Sequence, residues 1–249
     1  ETGDYKWPSS NHGITVDHKG NVWIGGNGQQ DSQVLKFDRA GKFLMQVGRS
    51  AARRGPNGSD GRPTYVGNSN DTVSFGRVAK IFVDPRDNEA YLGDGYLNKR
   101  VAVIDADTGM LKRYWGAYGN KPDDADPGPY RPDAPPAQQF RNPVHCAEVS
   151  KDGFVYVCDR TNNRIQVFRK DGTFVKEQII APRTRGFGAV HDIAFSGDPQ
   201  ERFLYVADGA NRKVWMLRRD DLKILGSFGH GGHYAGEFAI TSAKGDNRC

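Results

Sequence analysis

Three of the six histidines in this 249-residue chain occupy one register. They open the segments His12-Gly13-Ile14-Thr15-Val16-Asp17, His145-Cys146-Ala147-Glu148-Val149-Ser150 and His191-Asp192-Ile193-Ala194-Phe195-Ser196. Each stands five residues before an Asp or Ser that leads into a Gly- or Pro-containing turn. If the segments are arranged radially, the three imidazoles converge on one axis. Neutral imidazoles bind Zn²⁺ or a similar divalent ion at about 2.0–2.1 Å and leave a position open for water or substrate. Such an ion acts as a Lewis acid. The bland alternative is three polar side chains hydrating a channel. Asp192, directly after the third His, offers a hard oxygen for Ca²⁺, or else a hydrogen bond inside the fold. His18, His230 and His233 fall in turn-like sequence and are expected to be solvated.

The elements that must position these residues are short strands. Ala90-Tyr91-Leu92-Gly93-Asp94, Val155-Tyr156-Val157-Cys158-Asp159 and Leu204-Tyr205-Val206-Ala207-Asp208 are copies of one strand, with Val22-Trp23-Ile24-Gly25 a weaker copy lacking the Asp. After each strong copy come Asn and Arg (Asn98 and Arg100, Asn163 and Arg164, Asn211 and Arg212) and then another strand. Four strands in roughly 40 residues make a propeller blade, which must stack on neighbours to bury its faces. The expected fold is therefore an all-β propeller in one domain, 1–249, with blades near 11–48, 76–118, 141–180 and 188–229. The Asp and Arg of each unit are expected to pin turns and tie blades together. Arg160 differs, following Asp159 where other blades carry Gly95 and Gly209. Residues 49–75 and 117–141 read as surface inserts, poor in core material. Residues 230–249 read as the start of a further blade, its inner strand opening at Ala239. A partner chain or a further segment is expected to complete the ring.

Composition agrees. The 31 glycines suit many tight turns, and long 3.6-residue apolar stripes are missing. A net charge of +5, with basic residues clustered at Arg49, Arg53 and Arg54 and again at Arg218 and Arg219 among many acids, lacks the one-sided excess of a nucleic-acid binder. No apolar run approaches the roughly 20 residues of a membrane-spanning helix, so no membrane partner is expected, and no signal peptide is visible. Cys146, Cys158 and Cys249 match no CxxC pattern, leaving one bridge plus a free thiol open.

With these motifs in order, the chain resembles the NHL-repeat propellers, and within them the peptidyl-α-hydroxyglycine α-amidating lyases. That resemblance implies a six-bladed propeller, of which four full blades are visible here. It implies a zinc held by three histidines, matched by His12, His145 and His191. A catalytic tyrosine in an Asp-Gly-Tyr-x-Asn-x-Arg stretch is matched by Asp94-Gly95-Tyr96-Leu97-Asn98-Lys99-Arg100, and an active-site arginine after the blade Asp by Arg160. Calcium ligands are matched by Asp192 and by the carbonyl of Ile14. Leu97 stands where the animal enzymes carry a half-cystine. The implied activity cleaves the C–N bond of a peptidyl-α-hydroxyglycine to a peptide amide and glyoxylate, with Tyr96 as base and Arg160 on the substrate carboxylate. Its cofactors would be Zn²⁺ or another divalent transition metal, with Ca²⁺ as a structural ion, its partner a small-molecule or peptide substrate, and its place secreted or periplasmic. Two rivals stand beside it: a non-catalytic NHL module binding protein, glycan or RNA through its rim, and a calcium-dependent lactonase-type hydrolase. The second calls for an axial site rich in Asp, Glu and Asn, which the histidine register does not provide.

Overall fold

The computed structural model describes residues 3–235 and 237–238; Cys249 and the strand expected from Ala239 lie outside them. The chain is a β-propeller of four-stranded antiparallel blades. The first comprises β1 (Asn11–Val16), β2 (Val22–Gly26), β3 (Gln33–Phe37) and β4 (Phe43–Gly48). A small hairpin, β5 (Arg54–Asn57) and β6 (Pro63–Tyr65), precedes the second blade. That blade holds β7 (Val78–Asp84), β8 (Glu89–Asp94), β9 (Arg100–Asp105) and β10 (Leu111–Trp115). The third has β11 (Val144–Val149), β12 (Phe154–Asp159), β13 (Arg164–Arg169) and β14 (Phe174–Ile179). The fourth has β15 (Asp192–Phe195), β16 (Phe203–Asp208), β17 (Lys213–Arg218) and β18 (Ile224–Phe228). Each blade is a simple meander, each strand pairing with its sequence neighbour. Among the described residues no helix is long and apolar enough to cross a membrane.

Apolar residues on both faces of the middle strands make the core. Trp23, Val34, Ile81 and Leu92 fill the space between the first and second blades. Tyr91, Val103, Val155 and Phe168 fill the next, and Ile165, Leu204, Val206 and Leu217 the one after. Burial on both sides is why these strands read as continuous apolar runs rather than alternating ones. Each innermost strand touches the next, β1 with β7, β7 with β11 and β11 with β15. Their starts therefore face one axis. Cys146 and Cys158 stand opposite each other on β11 and β12 and form a disulfide, buried in the interface between the third and fourth blades.

The repeated acids do pin turns. Asp94 accepts from Asn98 and from Arg100 Nε at 2.7 Å, and Asp159 accepts from Asn162 and from Arg164 Nε at 2.7 Å. In the fourth blade the pattern changes, and Asp208 takes Asn211 and the indole of Trp215 instead of Arg212. The inserts are more structured than their composition suggests. Arg100 donates to the carbonyls of Ser69, Asp71 and Ser74, while Ser69 donates through N and Oγ to Asp124. The two inserts are thus docked to each other by polar bonds, a device that needs no apolar residues.

Candidate active site

Bulges aim the site. The pairing of β1, β7 and β11 with their neighbours slips between His12 and Thr15, between Val78 and Lys80, and between Val144 and Cys146. An extra residue at this level turns a side chain, or a carbonyl, toward the axis. Close approach of β1 to β7 requires glycine at position 13, which has φ +65°; a Cβ there would lie 2.6 Å from the Ala79 carbonyl oxygen.

The approach is used by His12. Its Nδ1 lies 2.6 Å from the Ala79 carbonyl, and His145 Nδ1 lies 2.5 Å from the His191 carbonyl. A carbonyl only accepts, so both rings carry their proton on Nδ1 and present Nε2 as a bare lone pair. Burial lowers the pKa of His12, with the charge of Arg160 adding to it; for His145 burial, Arg160 and His12 push it well below the ordinary value. Both rings are thereby held neutral.

The two Nε2 atoms converge on the hydroxyl of Tyr96, 3.1 Å from each. One phenol proton cannot serve two lone pairs. Arg160 Nη1 lies 3.4 Å from the same oxygen, and its guanidinium sits 5.6 Å from the centre of the Tyr96 ring. The Nε of Arg160 is buried without a partner, and no carboxylate among the described residues pairs with this side chain. The spot is rich in lone pairs and short of protons, beside a cation with no anion.

The Tyr96 segment is held from both ends. Asn142 donates through Nδ2 to the carbonyls of Gly95 and Asn98, at 2.7 and 2.8 Å, and the Tyr96 amide donates to the Arg77 carbonyl. Sequence reasoning did not single out Asn142, which has no register equivalent.

His191 completes the group less closely. Its ring centre is 6.0 Å from that of His145, which is 5.3 Å from that of His12. Rings sharing a tetrahedral ion at about 2.0–2.1 Å have centres roughly 5 Å apart. The ring of His191 lies against Gly209, whose amide donates to Nδ1 at 3.2 Å. A Cβ at position 209 would fall 2.8 Å from Nε2. Burial, then Arg160, lowers the pKa of His191 as well. The donor set fits a divalent transition ion: three neutral imidazoles, two already carrying the Nδ1–H to carbonyl bond that orients metal ligands. The third fits after its ring turns away from the Gly209 amide.

The structure brings together His12, His145, His191, Tyr96 and Arg160 from four blades. Asp192 faces elsewhere, its Oδ1 2.6 Å from Lys80 Nζ, and Lys80 also pairs with Glu148. Ile14 lies two residues along β1 from His12 with its side chain exposed. Sequence reasoning missed Lys80, although the signal was present: it follows Ala79 as Asp192 follows His191.

The NHL repeat family matches residues 145–168, from the second metal-candidate histidine into β13. This chain is an NHL-repeat β-propeller. The propeller is 30% identical over 167 residues to peptidyl-glycine alpha-amidating monooxygenase B of Xenopus laevis, covering 67% of this chain and 16% of that protein. It is 29% identical over 171 residues to peptidylglycine alpha-amidating monooxygenase of Rattus norvegicus, covering 67% of this chain and 14% of that one. The matched stretch is therefore a small part of those relatives. In fold, the propeller resembles virginiamycin B lyase from Staphylococcus aureus, with a TM-score of 0.51 at 17% identity over 88% of this chain and 55% of that one. It also resembles Kuenenia stuttgartiensis hydrazine synthase, with a TM-score of 0.57 at 13% identity over 91% and 51%.

Proposed function

We propose that this propeller is a metal-dependent lyase that cleaves a peptidyl-α-hydroxyglycine to a peptide amide and glyoxylate. The observation that carries this reading is the Tyr96 hydroxyl between the Nε2 atoms of His12 and His145, beside the guanidinium of Arg160, which pairs with no carboxylate among the described residues. Sequence similarity to the amidating monooxygenases supports it.

His12, His145 and His191 would hold the ion, which when bound supplies Lewis acidity toward the substrate hydroxyl oxygen. Arg160 receives the substrate carboxylate, for which a planar two-pronged donor is suited, and so places the hydroxyl-bearing carbon near Tyr96. Tyr96, acting in its deprotonated form beside the Arg160 cation, would take the hydroxyl proton. As the carbon–oxygen double bond forms, the C–N bond breaks and its electron pair leaves with the amide nitrogen. That nitrogen gains a proton, so the net change moves one proton from oxygen to nitrogen without oxidation or reduction. The buried Cys146–Cys158 disulfide supports a secreted or periplasmic setting.

The test is glyoxylate release from a synthetic α-hydroxyglycine peptide by zinc-loaded protein, beside its metal content and that of His145→Ala. Release that disappears in the variant together with the zinc is the expected result. A wild-type protein that binds no transition metal and releases no glyoxylate sinks the reading and leaves the rim-binding NHL module. The lactonase-type alternative is disfavoured by Glu148 and Asp192, the axial carboxylates, both being engaged by Lys80.

A further inference from the structure

A second cluster lies along the innermost strands, and the proposed chemistry does not use it. Lys80 on β7, Glu148 on β11 and Asp192 on β15 come from three successive blades and meet at one ammonium group. The Lys80 Nζ is 2.6 Å from Asp192 Oδ1 and paired with Glu148, whose side chain is 13% exposed. The Asp192 Oδ1 also accepts the amide of Ile193 at 2.9 Å.

Calcium needs six to eight oxygens at about 2.3–2.6 Å. The carboxylate that the family resemblance offers for it already has an ammonium within hydrogen-bond reach, and an ion on the same oxygen would face that cation at a few ångströms. The donor set does not fit calcium while Lys80 is present. We propose that the Lys80 ammonium is the structural cation of this channel, joining Glu148 and Asp192 across three blades in place of a divalent ion. This is independent of whether the histidine site is catalytic.

The test is calcium titration by calorimetry, with thermal unfolding in EGTA and in excess calcium, on the full chain and on Lys80→Met. The wild type is expected to bind no calcium and to melt at the same temperature in both buffers. K80M is expected to melt lower than wild type in EGTA and to gain a calcium-dependent rise. With calcium about a hundredfold above its Kd, linkage puts that rise at roughly 5–10 °C for a domain of this size. Calcium binding by the wild type, an unchanged melting point for K80M in EGTA, or no calcium response in K80M each overturns the proposal. Should K80M not fold, Lys80→Arg keeps the cation and is expected to melt within a few degrees of wild type; its failure overturns the proposal equally.

Discussion

The hydroxyl of Tyr96 stands 3.1 Å from Nε2 of His145, although Tyr96 follows β8 of the second blade and His145 lies on β11 of the third. Neither side chain could reach this contact from its own blade. It exists because β11 packs beside β7 and β8 and because Asn142 clamps the segment carrying Tyr96.

Removing the hydroxyl alone tests its role. Tyr96→Phe keeps the ring under Arg160 and leaves the three imidazoles in place, so zinc binding is expected to persist. Loss of a positioned acid–base group costs typically 10²–10⁴-fold in rate. Glyoxylate release should fall by about that factor with zinc content unchanged; a fall below tenfold would show that the phenol only packs the channel.

Asn142→Ala leaves the carbonyls of Gly95 and Asn98 without their side-chain donor. A freed Tyr96 loop should lower kcat by at least about tenfold, since misplacement by an ångström costs on the order of a hundredfold, while zinc content stays at the wild-type level. Asn142→Asp, which cannot donate to carbonyls, should behave like the alanine variant. Recovery of activity in Asp would rule out the clamp.

Gly209→Ala probes the third ligand. The added methyl would lie 2.8 Å from His191 Nε2, so the ring must move. Metal binding needs the same turn away from the Gly209 amide, so zinc affinity, measured by competition with a chromogenic chelator, is expected to hold or rise, whereas His191→Ala is expected to lower it at least about tenfold. Unchanged affinity in His191→Ala would mean that His191 is not a ligand.

How much of this was written in the sequence depends on periodicity. His12, His145 and His191 were legible because the repeat phases them, Arg160 because it breaks the repeat directly after Asp159, and Tyr96 through the family motif that its segment resembles. Lys80 and Asp192 are 112 residues apart, and although the register gives them equivalent places on their inner strands, it does not mark them as partners. Charge pairs across blades are set by how the blades turn about the axis, which the repeat pattern does not encode. The same holds for the insert: Arg54–Asn57 and Pro63–Tyr65 form a hairpin although Gly55, Pro56, Asn57 and Pro63 are poor strand formers, and Ser69 and Asp71 beyond it are held by Arg100 and Arg53.

The Cys146–Cys158 bridge closes a loop of separation 12 within one hairpin. The chain-entropy relation gives about 3 kcal/mol for so short a loop, or roughly 6–12 °C in Tm at this size. Cys146→Ala with Cys158→Ala should melt lower by about that amount, read by circular dichroism. A Tm within about a degree of wild type would show that the buried β11–β12 packing carries the stability alone.

Acid should unfold the propeller through two carboxylates far from the histidines. Burial would raise the Asp84 carboxyl, but Arg86 and Lys170 outweigh it and hold it at about 2. Burial would likewise raise Glu89, but Arg113, Lys112 and the Tyr91 hydroxyl hold it at about 2. Both folded values lie below the unfolded ones, about 3.9 for Asp and 4.3 for Glu. The unfolded chain therefore binds more protons in this window, and stability rises with pH across it. The contribution is full above about pH 5 and is lost as pH falls toward 2. Allowing for solvent screening, each group is worth on the order of 1–2 kcal/mol. Glu89→Gln should flatten the fall in urea-unfolding stability between pH 5 and 2, in the range set by these values. It should also lower stability at pH 7, because Arg113 loses its charged partner. A variant whose stability falls with acid as steeply as wild type would assign the acid sensitivity elsewhere.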